Sequence, residues 1–357
     1  MGRFSTAFLL TTCVMLALGA TGGGLAVWLG LPMPWMLGSL ILSGALVLLV
    51  RPRTLETYVF PEQLRMVFVA LIGVMIGTQV TPELASLAGE LPVTMVGLAL
   101  FVVMAHGGNA LIFRRLGGYS RATSFYAATP GGLMESIMLG EGAGADARIL
   151  TAQQFLRIIL VITFLPLGLS LWVGEPVGSA AGLRAASSQG EASLWNIAVI
   201  FAAAGAGLAV AHRIRLPAAH LTGPLLIAAT CTVTGVVDLH LPVWLIALAQ
   251  MVIGVTLGLR FHGTDMALLR RCAWLAVLSV VYMLLLGGSF AVILHMLTGI
   301  AFLHLFISFA PGGVAEMSVI ALSLAANPAL VSFHHIARII MTTIEVSSAG
   351  RLLKMRD

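Results

Sequence analysis

Two stretches of the chain, Thr129-Pro130-Gly131-Gly132-Leu133-Met134-Glu135 and Ala310-Pro311-Gly312-Gly313-Val314-Ala315-Glu316, carry one pattern 181 residues apart. The same offset pairs Gly73 with Gly254, Gly77 with Gly258 and Arg157 with Arg338. After a four-residue slip it pairs Leu31-Pro32 and Gly38 with Leu216-Pro217 and Gly223. Register kept over this length is an internal duplication. It constrains the architecture more than any single motif, because each half must fold as the same unit.

The solvent of that unit follows from composition. Only 9% of the 357 residues are charged and 59% are hydrophobic, with mean hydropathy +1.03. A soluble domain carries about 25% charged residues, so the reading is an all-α polytopic membrane protein. Apolar segments of roughly 18–25 residues suit membrane-crossing helices. They fall at 5–29, 33–50, 62–80, 91–113, 120–142 and 150–173, then at 195–211, 220–237, 243–260, 272–296, 302–325 and 329–349. The start, Arg3 followed by an apolar run to Ala20, resembles a signal peptide. The run continues through Trp28 and the duplication needs this helix, so it is retained. The first membrane repeat is thus 1–173 and the second 194–357, joined by a linker, 174–193, with Glu175, Arg184 and Glu191.

The basic residues then set the topology. In the first half they follow segments two (Arg51, Arg53) and four (Arg114, Arg115, Arg121), while the loop after segment three carries Glu83 and Glu90. In the second half they follow segments one (Arg213, Arg215) and three (Arg260, Arg270, Arg271). Positive loops stay cytoplasmic, so equivalent loops lie on opposite sides and each half crosses an odd number of times. A re-entrant Pro-Gly-Gly segment in each half meets that demand. Arg184 is then outside, Arg65, Arg157 and Arg338 lie within helices, and the other 15 of the 19 Lys and Arg are cytoplasmic. Making 33–50 re-entrant instead would place Arg51 and Arg53 outside. The expected fold is two inverted-topology repeats, each of five transmembrane helices plus a broken or re-entrant Pro-Gly-Gly element. Both termini are expected in the cytoplasm.

The breaks are the candidate site. Pro130 removes a backbone donor and Gly131-Gly132 weakens the helix, and Pro311, Gly312 and Gly313 do the same in the second half. Irregular backbone at membrane depth is tolerated where protein or a water-filled cavity satisfies it. Amides of the following half-helix can hold an anion, and carbonyls of the preceding one a cation. Paired breaks in inverted repeats point to a transporter binding site; the alternative is a pair of structural kinks that pack small residues. Glu135 and Glu316 follow in the first turn after each break, as proton or sodium carriers or simply as helix caps. The other carboxylates are read as lying in loops or near helix ends. Arg157 and Arg338 open the last helix of each half, with Gln153 and His334 one turn earlier and Gln154 and His335 beside those. They suit recognition of a substrate carboxylate, or ion pairs Glu135–Arg157 and Glu316–Arg338 that lock each repeat. Arg157 could also snorkel to the surface.

Other chemistries find little support. The nine histidines are scattered, His334 and His335 point to different faces, and Cys13, Cys231 and Cys272 sit singly, so no metal or cofactor is expected. His106, Asn109 and His304 are cavity-lining candidates at best. No Walker, GxSxG or nucleotide fingerprint occurs, and no enzymatic activity is expected. Gly22-Gly23-Gly24 inside an apolar helix reads as close packing. Trp28, Trp35, Trp172, Trp195 and Trp244 read as interfacial anchors. The net charge of +5 lies in the cytoplasmic loops, so no nucleic-acid partner is expected.

Leu-Pro-Met-Pro-Trp-Met-Leu-Gly at 31–38, the two Pro-Gly-Gly-x-x-Glu elements and the duplication together resemble the AbrB-type bacterial inner-membrane proteins. These are distinct from the small soluble transition-state regulator of the same name, and the resemblance covers essentially the whole chain. It implies a multi-pass protein of the bacterial inner membrane. Members have been described as regulators of gene expression, as ammonia monooxygenases and as transporters. One departure from a perfect internal copy is that Pro34-Trp35 becomes Ala219-His220. A monooxygenase should show metal ligands and a direct DNA-binding regulator a basic soluble module, and neither is apparent. The expectation is therefore a secondary transporter of a small solute, a small organic anion, working by alternating access within the lipid bilayer. The coupling ion would be H+ or Na+, and a homo-oligomer is compatible with the reading. The alternative is a membrane-embedded regulator or sensor acting on gene expression indirectly.

Overall fold

The computed structural model describes residues 6–55, 58–80, 87–174, 193–216, 218–236, 239, 241–262, 265–324 and 326–352. Glu83, Pro217 and the linker residues Glu175, Arg184 and Glu191 lie outside them. Every regular element among the described residues is a helix. The first half gives α1 (Thr6–Trp28), α2 (Pro34–Ala45, running on into a π-turn), α3 (Glu62–Gly77), α4 (Leu91–Arg115), α5 (Arg121–Ala127), α6 (Leu133–Gly142) and α7 (Ala147–Val173). The second gives α8 (Leu194–Ile214), α9 (Ala219–Thr234), α10 (Val243–Leu259), α11 (Met266–Thr298), α12 (Phe302–Phe309), α13 (Val314–Ser323) and α14 (Pro328–Leu352).

Among the described residues six helices, α1, α4, α7, α8, α11 and α14, are long and apolar enough to cross a membrane. Crossing a core of about 30 Å takes roughly 20 helical residues. The six occupy the first, fourth and sixth apolar segments of each half. Segments two and three form shorter helices, and segment five is two short pieces separated at the Pro-Gly-Gly sequence. Large apolar side chains stand exposed along the long helices, among them Leu10, Val96, Leu285 and Met296. Such exposure is what an apolar solvent permits. Trp28, Trp172, Trp195 and Trp244 are exposed, whereas Trp35 is only half-exposed and covers Gly23.

The chain divides into two compact units, and each takes residues from both halves of the sequence. The first comprises Met1–Pro82, Thr163–Thr264 and Ser318–Ala329; the second comprises Glu83–Ile162, Asp265–Met317 and Leu330–Asp357.

In the first unit, glycines let helix backbones touch. Gly22 of α1 lies on the backbone of Gly38 in α2, and Gly207 of α8 lies on Gly223 and Pro224 of α9. An added Cβ at these places would meet main-chain atoms, which cannot rotate away. The next layer crosses between halves. Gly73 and Gly77 of α3 seat on the carbonyls of Leu221 and Leu225 in α9, while Gly254 and Gly258 of α10 seat on those of Met36 and Leu40 in α2. Close backbone approach of this kind is a general means of joining helices where lipid removes the hydrophobic drive. Ala70, Leu71 and Val74 of α3 pack with Ile200 of α8, Ala228 of α9 and Leu245 of α10 in one apolar cluster.

In the second unit, α4 and α11 run antiparallel. Gly97 faces Leu294, Phe101 meets Phe290 with ring centroids 6.0 Å apart, and Gly117 faces Leu275. Between these contacts the Tyr282 hydroxyl donates to the Met104 carbonyl at 2.8 Å, and its ring lies over Gly108. Phe309 of α12 packs edge-on against Phe101 at 5.3 Å, tying the half-helix before the second break to α4.

Candidate functional site

A half-helix that ends inside a protein leaves its last carbonyls without donors, and side chains can supply them. In the second unit that duty falls on residues from the neighbouring long helices. α5 ends at Ala127, and the Tyr126 and Ala127 carbonyls each receive the Gln154 side-chain amide of α7 at 3.3 Å. The same amide donates to the Thr129 hydroxyl at 2.8 Å, which lies 2.5 Å from the Ser136 hydroxyl beyond the break. The Arg157 guanidinium donates to the Thr129 carbonyl. His106 of α4 presents Nε2 to the Phe125 carbonyl at 2.8 Å.

At the second break the Gly312 N–H returns to the Ala310 carbonyl at 2.9 Å, and one side chain bridges the break. Arg338 donates from one Nη to the Ala310 carbonyl at 2.6 Å and from the other to the Gly312 carbonyl at 2.8 Å. Its forked geometry allows a single side chain to bridge the break. Gln154 has His335 as its counterpart, and the imidazole does not do the amide's work. Its Nδ1 engages Val331 O at 3.2 Å within α14, leaving Nε2 buried without a partner; His334 behaves alike on Leu330 O at 2.9 Å. A carbonyl only accepts, so both rings carry their proton on Nδ1 and present a bare Nε2 lone pair.

Both arginines therefore lie deep in their helices rather than opening them: α7 begins at Ala147 and α14 at Pro328. Arg157 is 7% exposed and Arg338 2%, so Arg157 does not snorkel. Both guanidinium groups are directed at main-chain oxygens and not at carboxylates, and each keeps a buried Nε–H with no partner. Glu135 is exposed and turns back over Gly132, and Glu316 turns back over Gly313 in the same way. A glutamate at the third helical position beside the residue that precedes the helix suits the positive end of the helix dipole. Gly132 sits in the left-handed region at φ 62°, where glycine is the natural occupant.

The first break also meets the last helix. Gly131 lies against the Thr342 hydroxyl and Arg338, and Gly132 lies against the Thr343 hydroxyl. Arg338, Thr342 and Glu345 follow at spacings of four and three, so they share one face of α14. The Thr342 hydroxyl and one Glu345 oxygen on that face, and both side-chain polar atoms of Asn109 on α4, are buried without a protein partner. Buried polar atoms are ordinarily satisfied, so this unmet capacity marks where a polar ligand or water can be held. Glu345 escaped the sequence reading. It lies inside α14, not in a loop or near a helix end, and is hydrogen-bonded to His106, Nδ1 to Oε1 at 3.0 Å. The signal was present, since Glu345 is an acidic residue within the apolar run 329–349, two turns beyond Arg338.

A family model described as "Transition state regulatory protein AbrB" matches residues 35–354. A Bacillus subtilis (strain 168) protein named "Uncharacterized protein YhjN" is 26% identical over 354 residues, covering 95% of this chain and 92% of its own. An Escherichia coli (strain K12) protein named "Putative regulator AbrB" is 24% identical over 308 residues, covering 84% of each chain.

Proposed function

The chain belongs to the AbrB family, and on that premise we propose that it is a secondary transporter of a small organic anion in the bacterial inner membrane rather than an enzyme. The observation that carries the reading is the pair of buried arginines, Arg157 and Arg338. Each donates to main-chain carbonyl oxygen at a helix break and keeps a buried Nε–H without a hydrogen-bond partner, and among the described residues neither forms a salt bridge with a carboxylate. Two buried guanidinium cations favour an anionic ligand beside them, since an unpaired buried charge is costly. A ligand carboxylate would find charge-assisted donors there. The bare Nε2 atoms of His334 and His335 could accept from a hydroxyl or amine on the same ligand.

The proposal takes the two halves as inverted repeats with both termini cytoplasmic. Its support is that α4 and α11, counterparts in the duplication, run antiparallel, as a two-fold axis in the membrane plane requires. Alternating access would move elements around the paired breaks, with Pro130, Gly131, Gly132, Pro311, Gly312 and Gly313 supplying irregular backbone. Lipid, a small-molecule substrate and a coupling ion are the partners.

Ligand-dependent thermal stability tests the reading first. The purified protein is heated with small carboxylates, amino acids, amines and sodium at several pH values. A ligand at 100 times its dissociation constant stabilises by about 2.7 kcal/mol. A carboxylate hit, followed by its flux into proteoliposomes, is the expected result. Glu135→Gln and Glu316→Gln keep the capping geometry, so both variants should retain stability while flux or its pH dependence is lost. Unchanged flux in the double variant would leave those glutamates only as caps.

A regulatory reading draws on the E. coli relative, whose name describes a regulator. It requires a stable protein that binds a partner protein and moves no solute. A stoichiometric metal in elemental analysis would instead favour a membrane enzyme.

A further inference from the structure

We propose that His106 and Glu345 form a proton-binding site that latches the last helix, α14, to the half-helix α5 ahead of the first break. Nε2 of His106 faces the Phe125 carbonyl at 2.8 Å and Nδ1 faces Glu345 Oε1 at 3.0 Å. The carbonyl accepts only, so Nε2 carries a hydrogen in every state that keeps this bond. The opposite contact, between Nδ1 and a carboxyl oxygen, then needs one further proton. It resides either on the ring, giving imidazolium and carboxylate, or on Glu345, giving neutral imidazole and carboxylic acid. Without it two lone pairs face each other and the contact is repulsive. The geometry thus encodes a stoichiometry of one proton per latch.

The surroundings fit a proton better than a metal cation. The break carbonyls that could have bound sodium already receive His106, Gln154, Arg157 and Arg338. His106 is 2% exposed and its ring lies on that of Phe125 at 4.4 Å, while the Glu345 side chain is 22% exposed. The ring end of the site is thus buried on the broken helix, while the Glu345 end is partly exposed and keeps one buried oxygen without a partner. On α14 the nearest charge is Arg338, two turns away and engaged with Ala310 and Gly312. On α5 the charge is Arg121, one turn before Phe125, and the Tyr126 hydroxyl is titratable, its ring edge-on to Phe125. On α4, Asn109 is one turn from His106 and neutral, and Arg114 and Arg115 lie two turns or more away. Glu345 is the carboxylate hydrogen-bonded to His106 among the described residues.

As a proton site the pair stands alone; as the coupling site it rests on the transport reading. Solid-state 15N NMR of histidine-labelled protein in lipid bilayers tests it, with the His106 signals assigned by their loss in His106→Gln. The expected result is Nε2 protonated throughout and Nδ1 changing state in one pH-dependent step. Glu345→Gln offers a permanent neutral donor to Nδ1, so the proton affinity of that step should change by tenfold or more. A bare Nε2, a Nδ1 that never changes between pH 4 and 10, or a step unmoved in Glu345→Gln would overturn the proposal. The wild-type spectrum suffices for the first two outcomes should the variants not fold. If the step is present but no solute moves, the transport reading fails and the proton site remains. If a pH gradient drives flux without the step, the proton site fails and transport remains.

Discussion

Arg338→Ala is expected to lower the stability of the purified protein by about 1–2 kcal/mol in detergent unfolding measurements. The partly buried Gly312 O loses its donor, while Ala310 O loses the guanidinium but keeps the Gly312 N–H at 2.9 Å. A stranded acceptor costs about 1–3 kcal/mol, partly offset because a guanidinium no longer has to be buried. Arg338→Lys should recover only part of the loss, since one ammonium cannot present the same planar fork to two separate oxygens. Arg157→Ala should cost less. Gln154 still covers the neighbouring Tyr126 and Ala127 carbonyls at the first break, whereas the second break has no equivalent amide. Equal stability of wild type and Arg338→Ala would mean that the guanidinium does not hold the break closed.

Gly22→Ala should destabilise by about 1–3 kcal/mol or more, the usual cost of forcing atoms into a packed contact. The added methyl would meet the main chain of Gly38, and neither backbone can yield without separating α1 from α2. The control is two residues away in the same helix. Gly24 has nothing within 4 Å of an added Cβ, so Gly24→Ala should be neutral or stabilising by up to about 1 kcal/mol through helix propensity. Side-by-side thermal unfolding of the two variants reads the difference directly. Equal melting of both would remove the close-contact explanation for the Gly22-Gly23-Gly24 run.

Much of this was visible before any coordinates, and the reason differs by element. The apolar runs at 5–29, 91–113, 150–173 and 272–296 announced long helices because length and hydropathy alone decide that outcome in lipid. Pro130 and Pro311 announced interruptions because proline acts on its own helix. What Arg157 and Arg338 touch was not legible. Their partners lie 28 residues away in sequence and are carbonyls, which every residue possesses. Composition favours an acid as the partner of a base, and the tertiary fold chose main-chain oxygen instead. Glu345 was passed over for a related reason: its meaning depends on His106, 239 residues earlier. The compact units were likewise invisible to a reading that follows the chain, because each is assembled from separate stretches of both halves.

That assembly has a consequence for biogenesis. Gly73 and Gly77 of α3 wait for backbone that belongs to α9, and their seat does not exist until Leu225 has been made. At roughly 5–20 residues per second this interval lasts about 7–30 s. During it, α1 and α2 can join through Gly22 and Gly38, but the glycine-lined side of α3 has no docking partner. A nascent chain stopped after the first half would hold an open half of each unit. The ribosome must therefore deliver most of the second half before either unit can close.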